Sequence, residues 1–140
     1  MSWIANVSLS DIIRGHHYDP GSNSMLISIV DPDMESPTPL YPFGEVHRFR
    51  FLDIEEPDHP LAITTQDANK IAQLLKRALD KRMNVVVHCV AGVCRSGAVA
   101  EVGVILGFDD TETFRSPNLL VKKALLRALN IDNTYTDTGD

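Results

Sequence analysis

A chain of 140 residues with 44% hydrophobic and 23% charged side chains has the make-up of one globular domain, which argues against wholesale disorder. Its 13 basic and 19 acidic residues leave a net charge of −6 with no block of one sign, so neither a nucleic-acid groove nor a membrane-binding patch is supported for the chain as a whole. No apolar run reaches the roughly 18 residues of a membrane span, and the N-terminal MSWIANVSLSDIIRG lacks the basic start and apolar core of a secretion signal. These features lead to the expectation of a soluble protein of a reducing compartment, the cytoplasm.

In chain order, residues 4–7 are expected to form a first short strand. Ser10 is expected to cap a helical turn through Ile12 and Ile13 that stops at Gly15 and the turn YDPGSNS. The apolar MLISIV of residues 25–30 reads as a buried strand. Asp31-Pro32 reads as the turn that ends it, and 31–44, with four prolines, as a loop. Residues 46–52 alternate, which predicts a half-buried strand with Phe49 and Phe51 inward, Arg48 and Arg50 outward, and Asp53 at its end.

After the loop IEEPDHP, the apolar positions 71, 74, 75, 78 and 79 form one stripe of a helix running from Thr64 or Thr65 to about Arg82. The short NVVVH of residues 84–88 suits a central parallel strand. An almost uniformly apolar helix is expected over 96–107. A last one is expected to start at Ser116-Pro117, with Val121, Ala124, Leu125, Ala128 and Leu129 inward. Alternation of strand and helix makes the class α/β, with a short, mostly parallel sheet flanked by helices. A single domain is expected over 1–131, and a polar, frayed tail over 132–140.

Both cysteines of the chain fall in one stretch, VHCVAGVCRSG, at 87–97. A loop between a parallel strand and a helix turns backbone N–H groups inward and adds the positive end of the helix dipole, which together cradle a tetrahedral oxyanion. On this reading residues Val90, Ala91, Gly92, Val93, Cys94 and Arg95 bind phosphate. Gly92 supplies a positive φ and an open floor, and Arg95 a two-pronged grip that a lysine lacks. Free thiols titrate near 8.5, and such surroundings bring them to roughly 3.5–7.5. Cys89 is therefore expected to be a thiolate and a nucleophile for phosphoryl transfer. Ser96 is placed to bond the departing sulfur, and His88 to orient the loop.

The leaving group needs a proton from a neighbouring loop. Asp53 is the first choice, because the end of an element holds a side chain better than a mobile loop; Asp58 is the alternative, and Glu55 and Glu56 are weaker. Zinc binding by His88, Cys89 and Cys94 lacks a fourth ligand at a typical spacing, and successive strand side chains face opposite ways, so no metal is expected.

The residues His88, Cys89, Gly92, Arg95 and Ser96 match in register the His-Cys-x5-Arg-Ser signature, and the chain resembles the cysteine-dependent protein tyrosine phosphatases, in particular their small dual-specificity branch. The resemblance implies a phosphatase-like fold, no cofactor, and hydrolysis of phosphate monoesters through a phosphocysteine. It further implies a phosphorylated protein or peptide as partner. A signature loop without lysine disfavours highly charged lipid headgroups. The order Cys-x4-Cys-Arg-Ser is also similar to the low-molecular-weight phosphatases, which implies that Cys94 can trap an oxidised Cys89 reversibly; the other reading of Cys94 is a plain small residue packed behind the loop. Asp31-Pro32 resembles the acid loop of that group, although a turn accounts for it. Arg14, His16 and His17 are weaker candidates for the pocket mouth. Two other readings stay open: a phosphatase of a small molecule or RNA 5′ end, and a catalytically idle phosphate-binding module. The sequence does not fix the oligomeric state.

Overall fold

Five strands hydrogen-bond in the order β3-β2-β4-β1-β5, and every pairing is parallel. They are β1 (Trp3–Val7), β2 (Ser24–Val30), β3 (Glu45–Arg50), β4 (Asn84–His88) and β5 (Asp109–Asp110), and the helices are α1 (Leu9–Arg14), α2 (Thr65–Asp80), α3 (Arg95–Leu106) and α4 (Leu119–Ala128). The structure, a computed structural model, describes residues 2–131; the frayed tail expected over 132–140 lies outside the described residues. No helix among these is long and apolar enough to cross a membrane.

β4 lies between β2 and β1 and is apolar on both faces, as a strand covered on both sides must be. Alternation along β2 divides the core. Met25, Ile27 and Ile29 join Val85, Val87 and the buried stripe of α2 on one face, where α3 and α4 also pack. Leu26, Val86 and Val7 meet Ile12 of α1 on the other. That second layer is thin, and His17 extends it by stacking on Phe43 and meeting Tyr41 edge-on. Each fully buried Leu, Ile or Val contributes roughly 1.5–3 kcal/mol, so the sheet and the α2–α4 layer supply most of the hydrophobic stabilisation.

Three local expectations are corrected. Ser8, not Ser10, caps α1: its backbone is extended, its Oγ accepts from Asp11 N at 3.1 Å, and Asp11 Oδ2 accepts from Ser8 N at 3.5 Å. This box uses Asp in place of the usual Glu and leaves Ser10 inside the helix. Asn118, not Ser116, caps α4, its side chain accepting from Val121 N at 3.0 Å, while Ser116 N is turned to Val93 O. β3 stops at Arg50, because Leu52 N turns away to Leu61 O at 2.8 Å. Asp53 therefore lies on a folded-back loop rather than at a strand end. β5 was not foreseen: two exposed aspartates give no apolar signal, and it forms by pairing with Trp3 and Ile4.

Glu45 on β3 holds α2 to the sheet edge, accepting two bonds from Arg77 at 2.7 and 2.5 Å and one from His47 at 2.9 Å. The Arg77 guanidinium, then the His47 ring, bring the Glu45 carboxyl down to about 2 from an ordinary 4.5. A depressed folded value means that this contribution to stability is complete above pH 4.5 and is lost as the pH falls from 4.5 towards 2. Glu45→Gln is therefore expected to flatten the acid limb of the stability–pH curve in that window and to leave the curve above pH 6 within about 1 kcal/mol, because the pair is partly exposed. Urea midpoints measured from pH 2 to pH 7 check this.

Candidate active site

The chain leaves the carboxyl end of β4 at His88, the position in an open α/β sheet where crossovers diverge and ligands gather. His88 and Cys89 point to opposite faces, as alternation requires. His88 is fully buried on the α1 side; its Nδ1 donates to Cys89 O at 3.0 Å, so its unprotonated Nε2 accepts from Ser28 Oγ at 2.6 Å. Burial pushes the imidazole below its ordinary value, with Arg95 nearby adding to the effect, which keeps the ring neutral and that tautomer in place. His88 thus fixes the backbone of Cys89 without touching its sulfur.

Cys89 is 2% exposed, with its sulfur 3.2 Å from Ser96 Oγ and accepting from Gly92 N at 3.3 Å. Gly92 has φ +78°, and the loop presses on the β1–α1 junction so closely that an added Cβ would stand 2.4 Å from Val7 C and 2.5 Å from Ser8 N. Buried Asn6 pins the turn by donating to Gly92 O at 2.8 Å and Phe114 O at 3.0 Å. Left-handed strain alone costs a β-carbon about 1–2 kcal/mol, and the backbone clash adds to it. Gly92→Ala is expected to lower Tm by several degrees and phosphate affinity at least about tenfold; calorimetry measures both.

Arg95, the first residue of α3, is 4% exposed. Its Nη1 donates to Asp31 Oδ1 and to Phe51 O, both at 2.7 Å, while its buried Nε has no partner among the described residues. A cavity of about 380 Å³ opens above the sulfur, lined by Asp31, Leu52, Asp53, Ile54, Cys89, Val90, Ala91, Cys94 and Arg95. Of the loop residues expected to hold phosphate, Val90, Ala91, Cys94 and Arg95 line it. Gly92 and Val93 lie behind, the latter accepting from Ser116 N.

Asp53 lines this cavity and Asp58 does not; Glu55 instead accepts from Leu119 N at the start of α4. Arg14, His16 and His17 are likewise outside it. Asn118 holds the Asp53 loop, donating to Asp53 Oδ1 at 2.8 Å and Ile54 O at 3.0 Å. Its backbone N also donates to Cys94 O at 3.0 Å, so one buried asparagine joins the Asp53 loop, the signature loop and α4. Burial pushes the Cys94 thiol up, and the Asp53 carboxylate beside it pushes further. Cys94 is thereby kept protonated, the form that attacks an oxidised sulfur slowly.

Asp31, Asn6, Ser28 and Asn118 were not assigned to the site from sequence. Asp31 carried a signal, the Asp-Pro that closes a strand, but only the placement of β2 beside β4 brings it to Arg95.

No family model matches the chain, and no curated protein matches it. Among solved structures it is similar to OH1 of the Orf virus, described as a tyrosine phosphatase with triple substrate specificity: 21% identity, 76% of this chain covered and TM-score 0.50. The match spans 57% of the viral chain's length. A second, archaeal chain, Tk-PTP in its active form, is 14% identical, with 93% of this chain and 80% of that one covered, at a TM-score of 0.48 that carries no weight. What the viral likeness adds is architecture: the chain has an α/β fold similar to that of the viral tyrosine phosphatase.

Proposed function

We propose that the chain is a phosphate-monoester hydrolase of the protein tyrosine or dual-specificity kind, with Cys89 as nucleophile. The observation that carries this reading is the Cys89 sulfur at the base of a cavity, 3.2 Å from the Ser96 hydroxyl, beside a buried Arg95 with an unspent Nε. In the first step the sulfur attacks phosphorus, the ester P–O bond breaks, and the leaving oxygen takes a proton from Asp53. In the second, Asp53 takes a proton from water as its oxygen attacks the phosphocysteine. The S–P bond then breaks towards the Ser96 hydroxyl, releasing inorganic phosphate. The N–H groups of the signature loop and Arg95 stabilise the charge that develops on the phosphoryl oxygens.

The lining favours a single phosphate on an apolar group. Leu52, Ile54, Val90 and Ala91 form the apolar part of the wall, and among the described residues Arg95 is the one cation that lines it, against the carboxylates of Asp31 and Asp53. Phosphotyrosine in a protein or peptide fits this better than a nucleotide or RNA end with further phosphates, which the carboxylates would repel. The placement of Asp53 in the same cavity as Cys89 weighs against an idle binding module. Two free thiols suit a reducing compartment such as the cytoplasm.

The test is release of phosphate from an aryl phosphate and from matched phosphotyrosine and phosphoserine peptides, by reduced protein in chelator. Turnover greatest on phosphotyrosine is expected. Phosphate binding without turnover of any of these substrates would overturn the reading in favour of a binding module.

A further inference from the structure

Apolar side chains left in water gather on the α1 side of the cavity mouth. Val90, the residue after Cys89, lines the cavity and is itself exposed. Its carbonyl accepts from Leu9 N at 3.1 Å, which docks the signature loop on the start of α1. Leu9 is half-buried, and Ile13, one turn along the same face of α1, is 49% exposed. Leu40, 62% exposed, is tied to the far end of this helix, its N donating to Ile12 O at 3.0 Å. Single exposed leucines are ordinary, but a strip of apolar residues that begins in the wall of a cavity is not. From Leu9 to Ile13 is about 6 Å, a length that an extended peptide covers in about two residues. The loop after β3, which forms the wall on the α4 side, has the opposite character. There Asp53, Glu55, Glu56 and Asp58 are exposed, with no lysine or arginine among residues 53–58.

We propose that the strip of Val90, Leu9, Ile13 and Leu40 docks the polypeptide on one side of the phosphotyrosine, and that the preferred substrate carries large apolar residues two or three positions from it. This deepens the phosphatase reading above and rests on it. A phosphotyrosine whose phosphate reaches Cys89 has its backbone at the mouth, and the cavity joins the strip there through Val90. An apolar side chain laid along α1 covers Leu9 and Ile13 and takes both out of water. An acidic side chain gains nothing on the strip and meets like charge at residues 53–58. The contact lies away from the phosphoryl group and is the same in ground state and transition state, so it lowers KM and leaves kcat unchanged.

The experiment measures kcat and KM for wild type, Ile13→Ser, Leu40→Ser and Phe114→Ser. The substrates are nitrophenyl phosphate and three phosphotyrosine peptides, with leucine, glycine or aspartate at the second and third positions on each side. Phe114 is the control: it is 75% exposed, but it belongs to the loop behind Gly92, to which Asn6 ties it, and does not line the cavity. Wild type is expected to favour the leucine peptide over the glycine peptide about tenfold in kcat/KM, through KM, and to turn over the aspartate peptide least well. Ile13→Ser is expected to cut the leucine advantage to about threefold or less, and Leu40→Ser to cut it in part. Both should leave nitrophenyl phosphate turnover unchanged and Tm within about 3 °C, as exposed sites allow. Phe114→Ser should keep the full advantage. Four results overturn the proposal: a wild type active on nitrophenyl phosphate without preference for the leucine peptide, a preference for the aspartate peptide, a leucine advantage that survives Ile13→Ser, and one that is lost in Phe114→Ser. A wild type that turns over none of the four substrates would instead overturn the phosphatase reading on which the proposal rests.

Discussion

Cys89→Ser is expected to lower kcat by roughly 10⁴-fold or more, the scale seen when a nucleophile is removed, while a phosphotyrosine peptide still binds within about threefold of wild type. A serine hydroxyl needs a base to become a nucleophile, and in the first step of the proposed mechanism Asp53 gives a proton to the leaving oxygen instead of taking one. The Ser96 hydroxyl, 3.2 Å from the sulfur, is not a base. Both nitrogens of His88 are spent, on Cys89 O and Ser28, on the opposite side of β4. A thiol needs no such partner, because sulfur is intrinsically a far stronger nucleophile than a hydroxyl oxygen. Binding should persist, since the Arg95 contacts to Asp31 and Phe51 do not involve the sulfur. Single-turnover kinetics with a labelled substrate and calorimetry with the peptide separate the two effects. Turnover within about tenfold of wild type would remove Cys89 from the mechanism.

The elements that carried the site could be read from the chain because each states itself locally. The strand NVVVH came out at the bounds observed for β4, and the apolar stripe of α2 at its periodicity. The signature loop is legible for the same reason, since the anion cradle proposed there is built from contiguous residues. What escaped is held by contacts remote in sequence. Asp31 reaches Arg95 across 64 positions, and Asn118 reaches Asp53 across 65. In the sequence these are a turn aspartate and an asparagine after a Ser-Pro pair. Only the strand order, which places β2 and β1 on either side of β4, brings Asp31 and Asn6 to the signature loop. The misplaced caps of α1 and α4 have a related cause. Several polar residues precede each helix, and tertiary contacts choose among them: Leu9 N donates to Val90 O, and Asn118 N to Cys94 O.

The same remote contacts make Asp53→Asn the sharper test of mechanism. Asparagine matches aspartate in shape and still offers an oxygen to Asn118 Nδ2, which lies 2.8 Å from Asp53 Oδ1, so the loop should stay docked. What is lost, on the proposed mechanism, is the proton for the leaving oxygen. Asp53 also serves the second step, which is common to all substrates, so the contrast is read in kcat/KM, which reports the first: it is expected to fall by about 10²–10⁴-fold for phenyl or alkyl phosphates, the range of a general acid, and by less than about tenfold for nitrophenyl phosphate, whose oxygen leaves unprotonated. A plot of log kcat/KM against leaving-group acidity should therefore steepen in the variant. Asp58 is outside the cavity, so Asp58→Asn should follow the wild-type line. Asp31 is the one other carboxylate that lines the cavity among the described residues, and its oxygen is already given to Arg95. A steepened plot for Asp31→Asn with an unchanged one for Asp53→Asn would exchange their roles: β2 would then supply the acid, and the loop after β3 only the wall of the pocket.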